Sequence, residues 1–308
     1  HLEMSRLRQS FSAKPSSHGS HQMIRTRLLL LAFLALALPV PRASSQEVGP
    51  ENGSLVIVGG AMQDPAILER FIQLAGGPQA PIVIIPTAGG GEEYDEFYGG
   101  LRAFHSLGAF NLTVLHTNDP AEADTEAFVK PIAEANGVWF PGGRQWRLAD
   151  AYLGTRTEEE LWRVLERGGV IGGSSAGATI QGSYLVRGDT RTNTIMMGDH
   201  EEGFGFIKNI AIDQHVLARN RQFDLFTILD KKPELLGVGL DEGTAMIVQG
   251  NTFEVMGRSY VLVSDQSFWS REGSNLKNLP EQNRQFYFLR PGDRYDMKAR
   301  KVLQRGGR

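Results

Sequence analysis

Cysteine is absent from the 308-residue chain. That excludes disulfides, thiolate metal sites and a cysteine nucleophile, and it removes any redox clue to a compartment. A dominant charge is missing too: 32 basic residues face 35 acidic ones, with no long run of either sign. Nothing in that balance points to nucleic acid or a membrane surface as a partner. Long apolar runs are also lacking. Leu28 to Val40 spans 13 residues, short of the roughly 20 needed to cross a bilayer.

That short run has a different reading. The basic segment Met23-Ile24-Arg25-Thr26-Arg27 precedes it, and Ala43-Ser44-Ser45 follows with small residues before Gln46. This is the three-part pattern of a secretory signal peptide over residues 23–45, which implies a secreted or periplasmic protein with no membrane contact after cleavage. Residues 1–22 are polar and open with His1-Leu2-Glu3-Met4, the look of a cloning remnant or an overextended start. Residues 46–308 are then expected to form a single domain, and 41% hydrophobic with 22% charged residues is ordinary globular composition.

What is plentiful is glycine, 36 in all, often just after an apolar run. Leu55-Val56-Ile57-Val58 ends in Gly59-Gly60, Val138-Trp139-Phe140 in Pro141-Gly142-Gly143, and Val170-Ile171 in Gly172-Gly173. Such runs suit strands buried on both faces. Ile82 to Ile85 and Leu112 to His116 read as two more. Between the strands, helices are expected over Pro65–Ala75, Glu93–Leu107, Pro120–Asn136, Gln145–Leu153 and Thr157–Arg167. The alternation predicts an α/β fold in three layers, a mostly parallel sheet covered by helices. Val238–Leu240, Ala245–Val248, Thr252–Met256, Tyr260–Val263 and Phe286–Leu289 read as short antiparallel strands extending that sheet, followed by a disordered basic end. Val58-Gly59-Gly60-Ala61-Met62 lacks the G-x-G-x-x-G spacing of a dinucleotide site.

Gly173-Ser174-Ser175-Ala176-Gly177 fits G-x-S-x-G between a strand and a helical segment. There a serine sits on a sharp turn whose small neighbours let substrate approach, and the following backbone N–H groups can face an oxyanion. Ser175 is the expected nucleophile. Of the histidines beyond residue 46, His105 and His116 fall inside regular elements and His200 in a polar loop. His215, ending the apolar Ile210-Ala211-Ile212-Asp213-Gln214, is the expected base. Asp241-Glu242 closes another strand and can supply an orienting carboxylate. Gly142-Gly143 can add a second oxyanion donor, and Gln145 can hold substrate.

These motifs, in this order, resemble the cyanophycinase and dipeptidase E family of serine peptidases over roughly residues 53–265, with the cyanophycinase branch nearer because of Gln145 and Asp213-Gln214-His215. The resemblance implies a class I glutamine-amidotransferase-like fold, related to the flavodoxin-like sheet, and a triad of Ser175, His215 and Glu242. It implies an oxyanion hole from the amides of Gly143 and Ala176. Substrate contacts would come from Arg144, Gln145, Asp213, Gln214, Arg219 and Arg221. It further implies a homodimer that needs no metal or cofactor, and hydrolysis of peptide or isopeptide bonds beside aspartate, with cyanophycin and its β-Asp-Arg dipeptides first. An aspartyl dipeptidase acting on other Asp-X peptides, or a non-catalytic member that only binds a ligand, are the rival readings. Two positions depart from the family pattern. Arg144 stands where Gly-Gly-Asp-Gln has its aspartate, a change of two charges, and Asp224 stands where a third arginine follows the histidine.

Overall fold

The computed structural model describes residues 47–62, 64–272 and 279–307. The expected signal segment and the residues before it lie outside that range.

Five parallel strands form the centre of the main sheet: β1 (Ser54–Val58), β2 (Ile82–Ile84), β3 (Leu112–Val114), β4 (Gly137–Phe140) and β5 (Val170–Ser174). They lie in the order β3-β2-β4-β5-β1. β1 is apolar along its length because both its faces are covered. Leu55 and Ile57 point into one cluster of buried side chains, Val56 and Val58 into another. The second cluster is closed by α1 (Pro65–Leu74), which starts with Asp64 accepting the Ala66 N–H and buries Ile67, Leu68, Phe71 and Ile72. Behind α1 comes the short α2 (Arg102–Ser106). The other face is covered by α3 (Pro120–Ala123), α4 (Glu126–Glu134), α5 (Gln145–Tyr152) and α6 (Arg156–Glu166).

A second sheet takes over after α7 (Ala176–Thr179). It contains β6 (Gly182–Tyr184), β7 (Ile207–Gln214) and, past α8 (Phe226–Leu229), β8 (Leu236–Leu240), with β6, β7 and β8 parallel. The chain then returns to the main sheet as β9 (Thr244–Gln249), antiparallel to β1, and β10 (Thr252–Gly257). It goes back to the second sheet with β11 (Val261–Ser264) and β12 (Tyr287–Leu289), and finishes on the main sheet with β13 (Arg294–Asp296) and β14 (Lys301–Gln304). The expected α/β architecture with antiparallel C-terminal strands is therefore present, but those strands divide between two sheets. β8 and β11 leave the main sheet because their alternate residues Val238, Leu240, Val261 and Val263 share the buried cluster that covers β1.

Three element boundaries differ from expectation. Glu93–Leu107 is not one helix. The Tyr94 and Tyr98 rings pack edge to face, Tyr94 also packs on His116, and Phe97 stays 82% exposed, so the aromatic spacing serves a loop rather than a helix face. Only α2, led by a 3-10 turn at Gly99–Leu101, is helical there. Pro120–Asn136 is two helices, because the Thr125 hydroxyl caps a new start by accepting the Phe128 N–H. The basic end is ordered by pairing: β13 lies against β10 and β14 against β13.

Thr125→Ala removes the cap that starts α4, and is expected to cost about 1 kcal/mol. A urea melt would show this as a lower midpoint with an unchanged slope, and an unchanged midpoint would contradict it.

Candidate active site

The C-terminal end of β1 gathers three segments from different parts of the chain. Its Val58 carbonyl accepts the Ser175 N–H at 3.0 Å, the Gly59 carbonyl accepts the His215 N–H at 2.8 Å, and the Gly60 carbonyl accepts the Gly243 N–H at 2.9 Å. Ser175 thus arrives from β5, His215 from the end of β7, and the Asp241–Gly243 turn from the crossing between β8 and β9. No side chain fits on the two glycines. A Cβ on Gly59 would stand 2.2 Å from the Asp241 carbonyl oxygen. On Gly60, whose φ is +128°, it would stand 2.1 Å from His215 Cε1.

Ser175 has φ 58° and ψ −108°. That is a strained conformation for a residue with a side chain, of the kind that costs on the order of 1–3 kcal/mol and lifts a nucleophile off its strand. The turn tolerates it because its neighbours are small: a Cβ on Gly177 would meet the Phe140 carbonyl oxygen at 2.0 Å, and one on Gly173 would meet that of Gly177 at 2.3 Å. The Ser175 hydroxyl lies 2.8 Å from His215 Nε2, and His215 Nδ1 lies 2.6 Å from Glu242 Oε1. A carboxylate only accepts, so Nδ1 carries the proton and donates to Glu242, leaving Nε2 to accept from the serine. Asp241, the neighbouring acid, is engaged elsewhere. Its Oδ1 accepts the N–H groups of Leu217 and Ala218, and its Oδ2 accepts the Ser259 hydroxyl.

Burial pushes the His215 imidazole below the ordinary histidine value, and the Arg219 and Arg221 cations push the same way, outweighing the Glu242 carboxylate. The ring is therefore neutral, the form a general base needs, across the neutral range.

A cavity of about 440 Å³ opens at this point, with Gly143, Ser175, Asn193, Gln214, His215 and Arg219 among its walls. Gly143 reaches it through backbone geometry, φ +145°, that places its Cα hard against the Ala88 carbonyl, where a Cβ would meet the oxygen at 2.0 Å. Ala176 begins the turn of helix that follows the serine. Of the two residues expected to supply oxyanion amides, Gly143 lines the cavity and Ala176 follows the nucleophile directly in the chain.

Of the expected substrate contacts, Gln145, Gln214 and Arg219 line the cavity. Arg144, Asp213 and Arg221 do not, and each has a protein partner instead. The Arg144 guanidinium donates to the Asp189 carbonyl. Asp213 is fully buried and takes a two-pronged contact from Arg187 at 2.8 and 2.9 Å. Arg221 is buried and donates to Gln214 Oε1 at 2.7 Å. Even Gln145, which does line the cavity, spends its amide N–H on the Val186 carbonyl at 2.6 Å. The spacing of polar residues after a strand could not say which would face inward. Sequence reasoning missed Gly60, Arg187 and Asn193. Only Gly60 carried a signal, as the second glycine after a buried run. Among the described residues no group of three or more histidines, aspartates and glutamates is placed to hold a metal, and no helix is long and apolar enough to cross a membrane.

A serine on a strand-to-helix turn, a buried neutral histidine and a carboxylate behind it, all at strand ends of an α/β sheet, make up the arrangement of a serine hydrolase with a class I glutamine-amidotransferase-like fold. Within that class the chain belongs to Peptidase family S51, which it matches over residues 55–256; it is a peptidase. It is 30% identical over 268 residues to a cyanophycinase from Geminocystis herdmanii, a match covering 82% of this chain and 96% of that one. It is 29% identical over 277 residues to a cyanophycinase from Synechococcus elongatus, covering 86% and 85%. The crystal structure of a peptidase from an acI-B1 actinobacterium is similar with a TM-score of 0.59 at 25% identity, covering 80% of this chain and 98% of that one.

Three outcomes are expected. Gly60→Ala displaces the His215 ring, and turnover falls by roughly 100-fold while circular dichroism stays native; near-normal turnover would contradict the packing. The acid limb of the kcat/KM profile lies below the ordinary histidine value of about 6.5, because only protonation of His215 removes the base. Arg219→Gln removes a cation that lowers it, so the limb moves up in pH. A limb that stays put would show that Arg219 does not act on the ring.

Proposed function

We propose that this protein is a cyanophycinase-like serine exopeptidase that releases β-Asp-Arg dipeptides from cyanophycin, a polyaspartate backbone with arginines on its side chains. The observation that carries the chemistry is the continuous Ser175–His215–Glu242 hydrogen-bond chain of 2.8 and 2.6 Å. Ser175 Oγ attacks the carbonyl beside aspartate as its proton passes to His215 Nε2. Glu242 holds the ring in the required tautomer and stabilises the imidazolium. The Gly143 and Ala176 amides face the oxyanion. His215 then protonates the leaving amine, and water, activated by the same histidine, hydrolyses the acyl-enzyme.

The substrate reading rests on the relatives named cyanophycinase and on where the two departures from the family pattern point. The Arg144 cation turns to the Asp189 carbonyl rather than into the cavity. Asp224 is spent on Arg187 at 2.7 Å. Neither residue is among those lining the catalytic cavity, so Arg144 does not repel a cationic substrate from its wall and Asp224 does not repel a substrate carboxylate there. Arg219, which does line it, suits a substrate carboxylate through bidentate pairing. Export from the cell, as the residue 23–45 pattern suggests, would bring the enzyme to an extracellular polymer, and a homodimer is the assembly the family resemblance favours.

Ser175→Ala is expected to abolish hydrolysis with the fold intact; a variant that keeps wild-type turnover would sink the mechanism. For the substrate, the wild-type protein is incubated with insoluble cyanophycin and, separately, with free Asp-X dipeptides. Release of β-Asp-Arg supports the proposal. Cleavage of the dipeptides alone would assign an aspartyl dipeptidase instead.

A further inference from the structure

One buried cation ties together segments that line the cavity. Arg187 is 2% exposed, and its guanidinium reaches three separate segments. Nε and Nη2 donate to the two oxygens of Asp213 at 2.8 and 2.9 Å, Nη2 also donates to Asp224 at 2.7 Å, and Nη1 donates to the Asn193 carbonyl at 3.0 Å. Each segment supplies one wall of the cavity. Asp213 precedes Gln214, Asp224 ends the turn that starts at Arg221, two residues after Arg219, and Asn193 lines the cavity itself.

Burying a charge is a poor way to gain stability, since well-packed apolar residues would serve as well or better. What a planar fork of five N–H donors provides is fixed geometry among its partners, which a lysine cannot reproduce. The loop between Arg187 and His200 has little regular structure to place it, and Arg187 closes its base through its own N–H to the Met196 carbonyl at 3.0 Å. Arg187 has no bond to Ser175, His215 or Glu242.

We propose that Arg187 is a positioning residue for substrate binding and that it acts through Asn193, a substrate-contacting residue on the cavity wall whose side-chain amide can pair with a substrate amide or carboxylate. This rests on Ser175 being the nucleophile, so the test includes a readout that needs no peptide substrate.

Steady-state kinetics on the aspartyl substrate and the rate of Ser175 labelling by a small fluorophosphonate are measured for R187K, N193A and the double variant. R187K keeps the buried charge and loses the fork. R187K and N193A are each expected to raise KM about tenfold, the worth of one charge-assisted hydrogen bond. Labelling should stay within about twofold of wild type, since the triad is untouched. The double variant should raise KM no further than N193A alone, because both changes act on one contact. Should R187K fail to fold, D224N, which loosens the half-exposed leg of the network and leaves the Asp213 pair in place, takes its part in the same cycle. Effects on KM that multiply in the double variant, or a labelling rate that falls together with kcat, would overturn the proposal. A wild-type protein that the reagent does not label would overturn the serine reading and this inference with it.

Discussion

Three consecutive carbonyl groups at the end of β1 hold the site together. Val58, Gly59 and Gly60 accept the backbone N–H groups of Ser175, His215 and Gly243, so nucleophile, base and the turn carrying the orienting acid are all registered against one short piece of chain. That piece lies between the parallel half of the main sheet and its antiparallel extension: β5 flanks β1 on one side and β9 on the other. Backbone hydrogen bonds at this junction are geometrically demanding, and the demand explains the two glycines. They are where the His215 ring and the Asp241 carbonyl pass too close for any side chain. The strained φ of Ser175 and the left-handed φ of His215, 54°, are held by the same bonds.

Electrostatics follow from the same convergence. Because the second sheet packs against the main one, His215 is buried, and burial favours its neutral form. The arginines that follow it strengthen that preference, so a chain with almost balanced net charge builds a local cationic field beside its base. Other charged side chains near the cavity have protein partners. Arg187 is shared between Asp213 and Asp224, and Arg221 is held by Gln214. Among the described residues, Arg219 is the arginine that lines the cavity.

Much of this was legible in the chain. Continuous apolar runs ending in glycine located β1, β4 and β5, because a strand buried on both faces has no polar face to show. G-x-S-x-G singled out Ser175, and the elimination of helical and surface histidines led to His215. Other features were hidden for equally physical reasons. An aromatic spacing at Tyr94, Phe97 and Tyr98 mimics a helix face, since edge-to-face ring packing in a loop uses the same residues. The short strands after Val238 have the pattern of one continuing sheet, since alternation records that a face is buried and not against what.

The sequence by itself determined the strands, the nucleophile and the chemical types available near it, because those depend on local pattern: period, turn residues and the small neighbours a strained serine needs. Only the tertiary structure decided what each polar residue does. Asp241 and Glu242 are adjacent, yet one fixes the turn after His215 and the other orients its ring. Asp213 and Gln214 are adjacent, yet one is sealed by Arg187 and the other faces the cavity. Neighbours on a strand point to opposite faces, and which face is the site depends on contacts between residues far apart in the chain.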